Sequence, residues 1–210
     1  MSSFSVPDSD PRGQLIAHAR HFYQQGWMVG TAGNLSARMP DGSFWITASG
    51  CAKGALTLEQ FVHLSLDGEI LEQPSGKPSA ETHIHQVIYQ QVPAAQACYH
   101  VHSVEANLVS RFSAAQHLDL PPLEMLKGLG SWDENPQVQL PVFANHAHVP
   151  AIAAEIQTRF QAFPSRVPAL LIRDHGVTVW GTSVQATFHH LEIMEYLFRY
   201  MVAARSFEIR

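Results

Sequence analysis

The chain has 210 residues, 46% hydrophobic and 15% charged, enough apolar side chain for one well-buried domain over 1–210, with 1–10 expected to be a loose N-terminal segment. A net charge of −5 with 13 scattered lysines and arginines excludes the basic face that a nucleic-acid partner needs. Two cysteines are too few for a disulfide framework, and no apolar leader or bilayer-length apolar run is read, so the expectation is a cytoplasmic protein without membrane contact.

Residues 12–26 carry Leu15, Ile16, Ala19, Phe22 and Tyr23 at helical spacing and stop at a glycine, which predicts an opening amphipathic helix. Residues 34–38 and 43–47 flank Pro40-Asp41-Gly42, a β-hairpin pattern that 61–66 and 69–71 repeat around Asp67-Gly68. A helix capped by Ser79 is predicted next, then a buried strand over 94–99, then a helix capped by Ser103. Further on, the pattern predicts a short helix at 123–126, a strand at 137–142 and a helix at 150–160. Strands near 169–173 and 177–180 and a long helix at 183–204 close the chain. Helices before, between and after strands imply an α/β domain whose sheet is covered on both faces.

Tyr99-His100-Val101-His102-Ser103 is the most informative stretch. In a strand, residues i and i+2 share a face, so His100 and His102 can hold one metal ion at the carboxyl end of the strand, where open α/β sheets bind ligands. Catalytic zinc normally takes three protein ligands and leaves one position open. The third candidate is His175, which ends the buried run 169–174 beside Gly176. Two further His-x-His pairs do not fit. His83 and His85 fall on the helix after Ser79, where i and i+2 diverge by about 200°, and His146 and His148 lie in a loop; both pairs are read as structural or solvent-facing.

Three loops rich in small residues are candidate anion cradles, because backbone amides and hydroxyls can converge there. They are Thr31-Ala32-Gly33-Asn34, the segment 47–54 with Lys53 as a cation, and 76–81, with Ser79 at a helix start. Cys98 reads as strand core, and Cys51 lies in a glycine-bracketed loop.

Taken in order, Gly33-Asn34-Leu35-Ser36, Thr47-Ala48-Ser49-Gly50, Lys77-Pro78-Ser79-Ala80-Glu81, His100-Val101-His102-Ser103 and Asp174-His175-Gly176 resemble the class II aldolase/adducin family over nearly the whole chain. The segments Leu123-Glu124-Met125-Leu126-Lys127-Gly128, 175–181 and Glu195-Tyr196-Leu197-Phe198 look like its dehydratase branch, which acts on a methylthio-substituted keto-pentose phosphate in methionine salvage. The resemblance implies a three-layer α/β/α sandwich with a mixed, largely antiparallel sheet. It also implies a homotetramer with sites near subunit interfaces, and one Zn2+ per subunit held at His100, His102 and His175. The family's phosphate loops match Gly33, Asn34, Thr47, Ser49, Gly50 and Ser79, and Lys53 matches a lysine of the dehydratase branch.

The branches differ in the carboxylate that moves protons. Glu124 matches the dehydratase base and Glu81 the proton carrier of the aldolases, and this chain has both. The expected activity is therefore loss of water from a small phosphorylated keto-sugar. Two alternatives are carbon–carbon cleavage of a sugar phosphate with Glu81 as acid/base, and a non-catalytic scaffold of the adducin type.

Overall fold

Central strands buried at every position, Ala169–Ile172 among them as a continuous apolar run, let one sheet build a core on each face. A computed structural model of the chain describes residues 10–207; the expected loose segment falls almost wholly outside them. The elements are α1 (Arg12–Gln24), β1 (Asn34–Arg38), β2 (Phe44–Thr47), β3 (Phe61–Leu64), β4 (Ile70–Glu72), α2 (Thr82–Gln91), β5 (Ala97–Val101) and α3 (Val104–Val109). After them come β6 (His117–Asp119), β7 (Gln139–Phe143), α4 (Val149–Ala162), β8 (Ala169–Ile172), β9 (Gly176–Gly181) and α5 (Val184–Ser206). Short 3₁₀ turns occupy Lys53–Ala55, Leu58–Gln60 and Glu124–Leu129.

The strands form one sheet in the order β4-β3-β2-β1-β5-β9-β8-β7-β6, antiparallel throughout except for the β7–β8 pair. Leu35 and Ala37 of β1, Tyr99 and Val101 of β5, and Val177 and Val179 of β9 face α1 and α5 in one core. Cys98, Trp180 and Leu170 point the other way, against Ile84, Ile88 and Ile152 of α2 and α4. This is a three-layer α/β/α sandwich with a mixed, largely antiparallel sheet. Truncating a side chain such as Leu171, fully buried between strands and helix, costs about 2–5 kcal/mol.

The ends of the elements follow capping chemistry. Gly26, at φ 79°, reverses the chain after α1, and Trp27 N–H returns to the Phe22 carbonyl at 3.0 Å. Ser103 and Ser183 cap α3 and α5 by accepting from Ala106 and Ala186 N–H. Ser79 does not cap α2. The helix starts at Thr82, with Glu81 in the cap position, because Ser79 and Glu81 turn their side chains toward Asn34 instead. The predicted short helix at 123–126 is the 3₁₀ segment Glu124–Leu129, stopped by Gly130 at φ 91°. Strand β6 escaped the pattern because, of its three residues, only Leu118 is buried.

Candidate metal centre

β5 and β9 are antiparallel neighbours in the middle of the sheet, with His100 directly opposite Thr178. The side chains of alternate residues place His100 on the α2 face, and His102 follows it just past the strand end. His175 reaches the same point from the turn that joins β8 to β9. In that turn Asp174 adopts φ 53°, a left-handed conformation that aspartate tolerates better than most residues. Asn107 Nδ2 donates to the His175 carbonyl at 3.1 Å and ties the turn to α3.

His100 Nε2 lies 2.8 Å from His102 Nε2 and 3.4 Å from His175 Nε2. Glu81 brings a fourth donor, with Oε1 2.6 Å from His175 Nε2, 3.5 Å from His100 Nε2 and 3.8 Å from His102 Nε2. All four ligand atoms fall within 4.8 Å of one another. Two imidazole nitrogens can share a proton, but three facing one point cannot do so pairwise, and their lone pairs repel. A divalent cation resolves that repulsion, and the nitrogen-and-oxygen set suits zinc and its neighbours in the first transition row. His100 Nδ1 meets Thr178 Oγ1 at 2.9 Å; with the proton on Nδ1, the Nε2 lone pair is free to face the cluster.

Electrostatics follow burial. Desolvation pushes the fully buried His100 well below the usual histidine range, which keeps the ring neutral as a ligand requires. For Glu81, burial acts to raise the pKa, but the three imidazoles facing it, His100 foremost, with hydrogen bonds from His102 and His175, outweigh it and hold the carboxyl far below its ordinary value.

The three small-residue loops converge beside this cluster. Ser49 N–H donates to the Lys77 carbonyl at 2.8 Å and Ala48 bridges Pro78, which joins the second loop to the third. Lys53 Nζ donates to the carbonyls of Thr31 and Cys51 at 3.0 and 2.9 Å, joining the second to the first. Asn34 Nδ2 donates to Ser79 Oγ at 3.1 Å and also to Glu81 Oε2. Gly33, at φ 75°, passes so close to β5 that a Cβ there would lie 2.7 Å from the His100 carbonyl oxygen. Gly33, Asn34, Ser49, Gly50, Lys53, Ser79 and Glu81 thus belong to one linked group of loops. Thr47 is fully buried among them and accepts from Leu35 N–H at 3.2 Å.

Glu124 is the exception. Its side chain is 82% exposed and pairs with Lys127 at 2.7 Å, and it is not among the groups that converge with the histidines. His83 and His146 are solvent-facing. His85 is fully buried, with Nδ1 2.7 Å from Ser36 Oγ and Nε2 against Asn34 Oδ1. Reading the sequence for chelating pairs missed both His85 and Thr178. A polar residue on the buried face of β9, and His85 four residues after Glu81 on one helix face, were the available signals.

A sheet of this order, closed on both faces, with three histidines at the ends of its central strands and a glutamate at the start of α2, marks the chain as a member of one family. The profile of the Class II Aldolase and Adducin N-terminal domain matches residues 13–202, and the chain belongs to that family. Among its relatives, a protein of Microcystis aeruginosa named methylthioribulose-1-phosphate dehydratase is 65% identical, covering 93% of this chain and 97% of that one. A Leptospira biflexa protein of the same name is 47% identical over 90% of this chain and 95% of its own length. Among solved structures, L-fuculose-1-phosphate aldolase from Thermus thermophilus superposes with a TM-score of 0.75 at 25% identity, covering 93% of this chain and 94% of that one.

Proposed function

We propose that this chain is a metal-dependent dehydratase that removes water from 5-methylthioribulose 1-phosphate to give 5-(methylthio)-2,3-dioxopentyl 1-phosphate, a step of methionine salvage. The observation that carries the reading is the three-histidine centre beside linked small-residue loops, in a chain 65% identical to a relative bearing that name. Zinc at His100, His102 and His175 would supply Lewis-acid charge where negative charge develops next to the substrate carbonyl.

The protein's residues supply the rest. The loops around Gly33, Asn34, Ser49, Gly50 and Ser79 hold the phosphate, with Lys53 as the charged partner. Lys53 is 1% exposed and its hydrogen bonds go to two neutral carbonyls, so an anion at the loops would balance its charge. Binding the phosphate at that end aligns the reacting carbons. Glu124 takes the proton from C3 and delivers one to the hydroxyl leaving C4, so hydrogen and hydroxide depart together as water. The resulting enol then tautomerises to the diketone. Because Glu124 stands exposed and apart from the histidines of its own chain, we place it in the site of a neighbouring subunit within a homotetramer. Exposed Trp132 near Glu124, and Val104 and Tyr196 beside the histidine end of the sheet, supply apolar surface for such contacts.

A second reading has a specific observation behind it. Glu81, not Glu124, sits at the histidines within one chain, as a carbon–carbon-cleaving aldolase with a glutamate proton carrier requires. Incubation with methylthioribulose 1-phosphate followed by mass spectrometry separates the two. Loss of one water, abolished by chelation, is the expected result. Cleavage into two fragments would transfer the assignment to the aldolase and to Glu81.

A further inference from the structure

Behind Glu81 a file of buried polar groups crosses from the sheet into α2. Tyr89 Oη lies 2.6 Å from Ser36 Oγ, Ser36 Oγ 2.7 Å from His85 Nδ1, His85 Nε2 against Asn34 Oδ1, and Asn34 Nδ2 against Glu81 Oε2. Asn34 and Ser36 are i and i+2 on β1, while Glu81, His85 and Tyr89 are successive i+4 neighbours at and along α2. The two periodicities therefore interleave five side chains into one chain of contacts.

The hydrogens in that file can be placed from one end. Glu81 Oε2 only accepts, so the Asn34 amide must turn its Nδ2 toward Glu81 and Ser79 and its Oδ1 toward His85. His85 must then carry its proton on Nε2. Burial lowers its pKa to about 4, so the ring is neutral near pH 7 and Nδ1 is left as an acceptor. Ser36 donates to Nδ1 and itself accepts from Tyr89. Each hydroxyl, ring and amide has one orientation, and every donor points toward Glu81.

We propose that His85 is a positioning residue of the metal centre, acting through Asn34 to hold Glu81 so that Oε2 is engaged and Oε1 faces His100, His102 and His175. An Asn34 amide without its partner at Oδ1 can rotate by half a turn and set an oxygen against the Glu81 carboxylate. Glu81 would then leave the three imidazoles. The inference rests on reading the cluster as a metal centre, but it does not depend on which substrate is converted.

The test measures zinc affinity by competition with a chromophoric chelator on purified full-length protein. His85→Gln carries an amide N–H to about the position of Nε2 and should bind zinc within threefold of the unmodified chain. His85→Asn is one methylene shorter, fails to reach Asn34 and should bind at least tenfold more weakly. Should His85→Asn fail to fold, Ser36→Ala, which frees the ring to turn, replaces it and is expected to weaken zinc in the same direction. Tyr89→Phe removes a buried hydrogen bond at the far end and should lower thermal stability while leaving zinc affinity within threefold. Equal zinc affinity in the shortened and full-length amide variants, or an equal loss in both, overturns the proposal. Absence of zinc binding by the unmodified chain would instead remove the metal-centre reading itself.

Discussion

Gly176 and Val101 approach so closely where β9 meets the end of β5 that a Cβ on Gly176 would stand 2.1 Å from the Val101 carbonyl oxygen, with His102 Cδ2 at 3.0 Å. The contact is to backbone, so no side-chain rotation relieves it. Glycine here lets the strand that follows His175 lie flat against the strand that leads from His100 to His102. Gly176→Ala is expected to push the strand ends apart and weaken zinc binding at least tenfold. The overpacking costs about 1–3 kcal/mol of stability. Chelator competition and thermal denaturation on the same preparation check both effects, and unchanged zinc affinity would contradict the geometry.

The proposed division of labour between subunits has its own signature. His100→Ala should lose the metal, and Glu124→Gln should keep it yet turn over at least a hundredfold more slowly. Unfolded and refolded together, the two inactive proteins should regain activity, because some sites would combine an intact histidine set with an intact Glu124 from a neighbour. No recovery in mixed oligomers would return Glu124 to its own chain's site or remove it from catalysis.

Lys53 offers a test of the anion site that does not need turnover. Its ammonium is held by the carbonyls of Thr31 and Cys51, and burial lowers its pKa. Lys53→Met keeps most of the buried stem and removes the charge. The expected result is inorganic phosphate binding weakened at least tenfold by calorimetry, and a KM raised far more than kcat is lowered. A KM equal to that of the unmodified chain would assign Lys53 to folding alone.

Glu195 of α5 is 2% exposed, and burial raises its carboxyl to about 8. The Ser103 hydroxyl and Arg199 offset this in part, while Glu105 adds to it. A carboxyl raised from 4.5 binds its proton more tightly in the folded chain. Its contribution to stability is therefore complete below about pH 4.5 and is lost as the pH rises through 8. Glu195→Gln, neutral at every pH, should match the unmodified chain near pH 5 and exceed it by roughly 2–4 kcal/mol at pH 9. Urea unfolding at the two pH values measures the difference; a parallel pH response in both proteins would refute it.

Much of the centre was legible because its signals are local. An i, i+2 histidine pair closing an apolar strand, followed by a serine cap, can point in few directions, and His175 sits between another such strand and a glycine. The small-residue loops were visible one by one, but their union was not. Ser49 meets Lys77, and Lys53 meets Thr31, across separations that composition does not encode. Glu81 entered the site only through the family resemblance, because a cap at Ser79 would start the helix before it; the helix begins at Thr82 instead, and the carboxylate turns inward to Asn34 and the histidines. His85 cannot chelate alongside His83, from which it diverges by about 200° around the helix, and that pairing hides its other relationships. Its neighbours at i−4 and i+4, Glu81 and Tyr89, carried the information. Glu124 shows the opposite limit, since within its own chain its carboxylate meets Lys127 and not the histidines.

The strand order carries a consequence for how the protein matures. β9 lies between β5 and β8, so the last strand to be synthesised enters the middle of the sheet, and it follows directly on His175. His100 and His102 leave the ribosome 75 and 73 residues before that third histidine. Until the final hairpin docks, a nascent chain offers two imidazoles and binds metal weakly. Firm metal capture would thus be a late event that reports a completed sheet, and a chain stalled before His175 would hold the ion only weakly.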